Sequence, residues 1–229
     1  MECKICRQKA KLVKTMTLME RHEAEYYLCD GCGFLFVGNV TWLAEAYREP
    51  IGTTDTGYVL RNVYLSRKTL VLFRLIFGSR ATFLDYAGGY GMLARLMRDY
   101  GLEFFCYDPH TPNLFMKGIE YNNQSVVALT CFECFEHFDS PIEEIEKILK
   151  ISKNIFFSTQ LLPKDIPDND WEYYAIKHGQ HISFYSLKTL SYLAKKYNLN
   201  LCSNGMNLHM LTKKKVPNWL FKIILSLTS

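Results

Sequence analysis

Between residues 82 and 159 short apolar runs alternate with stretches of helical periodicity. The order is 82–86 then 92–100, 103–107, 125–130 then 141–150, and 155–159. This alternation constrains the chain most. Strands joined by helices run parallel, and their helices must cover both faces of the sheet. The expected fold class is therefore α/β, a doubly wound and mainly parallel sheet. A long helix over 58–77, with Gly78 as its stop, leads into it. The runs 199–203 and 206–212 are separated only by Asn204 and Gly205, a hairpin signal that closes the sheet with an antiparallel pair. Ser140, Pro141 and Glu143 predict a capping box at one helix start, and Ser186 caps another helix through Leu190, Leu193 and Ala194.

The first forty residues follow a different rule. Cys3 and Cys6 are two residues apart, as are Cys29 and Cys32. Two such turns supply the four thiolates of a closed tetrahedral zinc site. Tyr26–Leu28 and Phe34–Phe36 read as short strands into and out of the second turn, where Gly31 and Gly33 permit tight backbone. Four thiolates leave no open coordination position, so the zinc is expected to be structural. Loss of four thiol protons against one divalent cation would take the formal charge from +4 to about +2. Cys131 and Cys134 have no second pair and read as packing. The expected organisation is a zinc ribbon over 1–40, a linker over 41–57 punctuated by Pro50, Gly52 and Gly57, and a main domain over 58–229.

With 48% hydrophobic and 22% charged residues, extended disorder, coiled coil and collagen-like structure are excluded. The 27 basic residues are spread along the chain, which argues against a dedicated nucleic-acid binder. Met1 is followed almost at once by Cys3 and Cys6 rather than by a signal peptide, so a cytoplasmic location is expected. No apolar run approaches the ~18 residues of a spanning helix. The last helical stretch, with Trp219, Leu220, Ile223 and Ile224, suits packing on the sheet better than a homodimer contact or a membrane surface.

The chemistry sits where a strand ends and a helix begins, at Asp85-Tyr86-Ala87-Gly88-Gly89-Tyr90-Gly91. Glycines let backbone approach a ligand, and the following helix offers free amides. The spacing is not that of dinucleotide binders. Acid-x-small-x-Gly-x-Gly resembles motif I of class I S-adenosylmethionine-dependent methyltransferases. Ala87 stands in place of the usual first glycine, a departure that is harmless if the position does not need positive φ. Asp108, with Pro109 after it, stands about 20 residues on, where an acid takes ribose hydroxyls. The segment Cys131-Phe132-Glu133-Cys134-Phe135-Glu136-His137 before Ser140-Pro141 is similar to the strand-four segment of these enzymes. Together with the cysteine module and the stretch from Trp171, Tyr173 and Tyr174 to His178 and His181, the chain resembles the zinc-bearing branch that includes bacterial sugar C-methyltransferases and related enzymes of polysaccharide gene clusters.

The resemblance implies a Rossmann-like fold, S-adenosyl-L-methionine as cofactor and a nucleotide-linked sugar or glycan as substrate. Asp85, Tyr86, Ala87, Gly88, Gly89, Gly91, Asp108, Pro109, Cys131 and Phe132 would hold the cofactor. Glu133, Trp171, Tyr173, Tyr174 and His178 would meet the acceptor. The sugar C-methyltransferases carry a further C-terminal domain, whereas this sequence stops soon after Thr212, so O-methylation stands beside C-methylation. A sulfonium donor arrives activated, and the protein must align the acceptor and remove its proton. Two candidates for the base remain open, His181 or the Glu136–His137 pair. As bases, His178, His22, His110 and His209 have little to recommend them. Two rival functions are a ribbon that binds nucleic acid or protein beside a degenerate cofactor fold, and a nicotinamide-dependent oxidoreductase.

Overall fold

A computed structural model describes residues 1–47 and 56–227; the expected Pro50 and Gly52 punctuation lies outside them. Two sheets organise the chain. The larger has six strands: β4 (Thr82–Tyr86), β5 (Glu103–Tyr107), β6 (Ala128–Cys131), β7 (Ile155–Ser158), β9 (Asn200–Ser203) and β10 (Leu208–Thr212). Their order is β5-β4-β6-β7-β10-β9. The first four are parallel, while β10 runs antiparallel to both β7 and β9. β4, β6 and β7 are buried almost throughout, as strands covered on both faces must be. The mainly parallel, doubly wound sheet with its antiparallel end is thus the fold.

Helices α2 (Tyr58–Phe77), α3 (Met92–Asp99), α4 (Pro141–Ile151), α5 (Leu187–Lys196) and α6 (Asn218–Ser226) pack around this sheet. Gly78 ends α2 at φ 86°. Phe73 of α2 packs against Phe83, Phe104 and Phe156 from β4, β5 and β7. α6 places Phe221, Ile224 and Leu225 in the same core and leaves Trp219 and Ile223 exposed. That helix packs on the sheet, as its composition suggests.

Two local expectations need correction. Ser186 does form a capping box, with reciprocal bonds to Thr189. Ser140 does not, because its ψ of 73° lies outside the extended region that aims a cap hydroxyl at the first-turn amides. Only the Pro141 start is as expected. The hairpin between β9 and β10 is also longer than Asn204-Gly205, since Asn204 Oδ1 gathers the amides of Met206, Asn207 and Leu208.

The smaller sheet is antiparallel, in the order β1 (Lys11–Leu18), β2 (His22–Leu28), β3 (Leu35–Val37) and β8 (Ser183–Phe184). Its last strand comes from the far end of the chain. Cys3, Cys29 and Cys32 share one buried cluster with Leu84, Leu129, Ile155 and Leu211 of the large sheet. A short helix α1 (Leu43–Ala46) follows this module, and Trp42 before it bonds to the Gly179 carbonyl at 2.8 Å.

Candidate active site

The strand order turns back between β4 and β6, whose chain continuations leave in opposite directions. A crevice beyond the carboxyl ends of parallel strands forms at such a point. The loop 87–91 leaves β4 there, Asp108 follows β5, and Phe132 follows β6. Gly88 sits so close to Asp85 that a Cβ would lie 2.5 Å from its Oδ2 and 2.9 Å from Cys106 Sγ. Ala87 does adopt positive φ, at 56°. The substitution at this place is therefore not free of strain, contrary to the condition on which it looked harmless.

Asp85 is buried and accepts a 2.7 Å bond from the Thr130 hydroxyl. Burial first, and then the Asp108 charge, push its carboxyl up to about 7 against the pull of Thr130. Asp108 ties the loop together: it accepts from the Gly89 amide at 2.9 Å and from the His110 and Thr111 amides at 2.8 Å each. Tyr58 of α2 meets Tyr90 edge to face, and Tyr86 packs on Tyr107. Glycines that admit no Cβ, free amides at the α3 N-terminus and acids at two strand ends form a cradle for a nucleoside-bearing ligand.

Beyond β6 the chain makes the second half of the site. Glu133 is held at φ 51°, its amide donating to Ser158 Oγ and its carboxylate accepting from the same hydroxyl, each at 2.7 Å. Arg61 lies 4.0 Å from its other oxygen. Glu136 is fully buried, and neither of its oxygens has a hydrogen-bond partner. Burial and then Glu133 push its carboxyl up to about 8, against the opposing pull of its own backbone amide, the Tyr173 hydroxyl and Arg61.

His137 Nδ1 lies 2.9 Å from Tyr47 Oη, and His181 Nδ1 lies 2.7 Å from the Tyr173 carbonyl. The two rings meet edge to face at 5.0 Å. Burial and then His181 hold His137 down to about 3, and burial lowers His181 as well. The side-chain ligand atoms of Glu136, His137 and His181 all lie within 4.8 Å of one another. The two separate candidates for a base are therefore one cluster.

Among the aromatics, Tyr173 packs on His181 at 4.7 Å and receives the Gln160 amide, placing it at the cluster. Trp171 packs against Tyr173 and Tyr174. Tyr174 turns away into the small-sheet core beside Tyr26 and Phe184, which does not suit it to meet an acceptor. His178 follows the turn at Ala175. Cys131 is buried in the core, and Cys134 packs against it. His209, bonded to Ser203 Oγ and the Thr159 carbonyl, is a satisfied core residue. Thr130, Ser158, Tyr47 and Arg61 had no motif to announce them. Polar residues ending buried strands are the one signal that would have drawn attention to the first two.

In the cysteine module, Cys3 Sγ lies 3.6 Å from Cys32 Sγ and Cys6 Sγ lies 3.3 Å from Cys29 Sγ, all four within 4.8 Å. Sulfurs around a tetrahedral zinc stand about 3.8 Å apart, given Zn–S bonds of about 2.3 Å. The donor set fits such an ion. The Ile5 amide points at Cys3 Sγ. Gly33 at φ 72° closes the second turn. The hydrogen bond with Cys3, and then burial, push the Cys32 thiol up, a penalty that a divalent cation would reverse.

A family model described as "Methyltransferase domain" matches residues 60–204, well over half of the chain, including the glycine-rich loop, Asp108 and the Glu136–His137–His181 cluster. The chain belongs to that methyltransferase family. None of the curated proteins compared matches it in sequence. Among solved structures it is similar to TnmH, at 12% identity and a TM-score of 0.52, over 76% of this chain and 61% of that one. The chain thus spans about three-fifths of that protein's length. It is also similar to the plantazolicin methyltransferase BpumL, solved with a monoazolic desmethylPZN analog and SAH, at 12% identity and a TM-score of 0.50 over 76% of this chain and 93% of that one. At such identities the likeness is one of fold. No helix among the described residues is long and apolar enough to cross a membrane.

Proposed function

We propose that this methyltransferase moves the methyl group of S-adenosyl-L-methionine to a small molecule or glycan, with a nucleotide-linked sugar as the acceptor class. The observation that carries the cofactor is the Gly88 turn, packed too closely on Asp85 and Cys106 to take a Cβ, beside the loop that Asp108 ties. Asp85, Tyr86, Ala87, Gly88, Gly89, Gly91, Asp108 and Phe132 surround the cofactor. The cofactor supplies an activated methyl group, and the chain's own residues position the acceptor and remove its proton. The acceptor's proton leaves at the cluster of Glu136, His137 and His181. Glu133, Tyr173 and Trp171 line the acceptor side, where flat rings suit the face of a sugar. Zinc in the four-cysteine site holds the module and stays out of the chemistry, because its coordination is closed.

The test is substitution of His181 by Asn, which keeps size and one hydrogen bond. Affinity for S-adenosylmethionine should be preserved while methyl transfer to surrogate nucleotide sugars falls by roughly 10²–10⁴. Full turnover by this variant and by His137→Asn, with cofactor bound as in the wild type, would remove the two histidines from the mechanism.

A further inference from the structure

Glu136 presents a chemical problem that proton removal alone does not explain. Its carboxylate is fully buried, and both oxygens lack a hydrogen-bond partner. Such a group is costly unless something neutralises or ligates it. Beside it stand two imidazoles whose ligand atoms lie within 4.8 Å of its own and of each other. Each ring is already held at Nδ1, His181 by the Tyr173 carbonyl and His137 by the Tyr47 phenol oxygen. A hydrogen bond of this kind at one nitrogen orients a metal-ligating histidine, and the Gln180 backbone also acts on His137. Glu133 acts electrostatically on both Glu136 and His181, adding negative potential at the same place. Both histidines are only half-buried, so solution reaches the cluster.

We propose that Glu136, His137 and His181 form a second metal site, which takes a divalent cation of the zinc, manganese or iron class. Two imidazoles and one carboxylate suit these ions and leave coordination positions open, unlike the closed four-cysteine site. An oxygen of the acceptor fits such a position. A hydroxyl placed there would lose its proton to water more readily, and its oxygen would then take the methyl group as the sulfonium becomes a neutral thioether. That use of the cation rests on the proposed methyl transfer, whereas the cation site itself does not.

The experiment is a titration of full-length protein, its cysteine site first loaded with one equivalent of zinc, with Co²⁺ and separately with Mn²⁺. Calorimetry gives the stoichiometry, and Co²⁺ absorption separates nitrogen and oxygen ligation from the intense bands of thiolate. The wild type should bind one further equivalent without thiolate bands. His181→Asn and Glu136→Gln, each with unchanged zinc content and circular dichroism, should bind at least about tenfold more weakly. If Glu136→Gln misfolds, His181→Asn and His137→Asn carry the comparison. No second equivalent at millimolar cation, or equal affinity in folded variants, would overturn the proposal. Binding of S-adenosylmethionine, measured on the same samples, reports separately on the methyltransferase reading.

Discussion

Ala87 holds left-handed backbone in the glycine-rich loop after β4. The motif identifies the loop, but φ is a property of the fold, and here it is 56°. Left-handed backbone costs a non-glycine residue about 1–2 kcal/mol, and glycine returns about 0.5–1 kcal/mol of this as unfolded-chain entropy. Ala87→Gly should therefore stabilise by about 0.5 kcal/mol, read as a rise in the urea midpoint at unchanged slope. A fall in the midpoint would show that the loop is not strained there. Asp85 gives a pH prediction. Its folded value of about 7 lies above the ordinary 3.8, so folding favours the protonated form. That contribution is complete below about pH 4 and is lost as pH rises through 7. Stability of the wild type relative to Asp85→Asn should fall across this window, by at most about 4 kcal/mol. Besides Thr130 and Asp108, Tyr58, Cys106 and Cys131 face the same carboxylate. Asp108 and the glycines were legible because backbone approach demands fixed spacing. Thr130, Ser158 and Tyr47 were not, since a single hydroxyl carries no periodicity.

At the scale of elements, boundaries marked by caps and stops were the easiest to read: α2 begins at Tyr58 and ends before Gly78 as its periodicity requires. β1 was missed for a physical reason. Only Met16 and Leu18 of its eight residues are buried, and its turn into β2 places Met19 and Glu20 at positive φ without glycine or asparagine. The two predicted helix caps differ in a testable way. The Ser186 box also reaches the cysteine module, because Thr189 Oγ1 donates to the Cys32 carbonyl at 2.9 Å. Ser186→Ala should cost about 1 kcal/mol, the usual value of a cap. Ser140→Ala should change stability by less than about 0.5 kcal/mol, as a surface substitution does. Equal losses in chemical denaturation would contradict this assignment of the two helix starts.

At the scale of the whole molecule, the alternation of strands and helices made the large sheet legible. The pairing of β8 with β3 was not, because two strand residues some 150 positions away leave no local pattern. This pairing and the shared core of Cys3, Cys29 and Cys32 with β4, β6, β7 and β10 tie module and sheet together. Cys29→Ser should accordingly lower metal content and folding yield together, and residual protein should unfold without a separate transition for the sheet. Wild-type metal content and an intact large-sheet transition in Cys29→Ser would contradict that coupling. Calorimetric titration with S-adenosylmethionine tests whether the crevice holds this cofactor. Saturable binding of one equivalent is expected, with Asp108→Ala weaker by about 1.5–3 kcal/mol, the scale of hydrogen bonds to a charged group. His181→Asn should bind as the wild type does. No heat of binding with folded protein, or affinity indifferent to Asp108, would contradict the account.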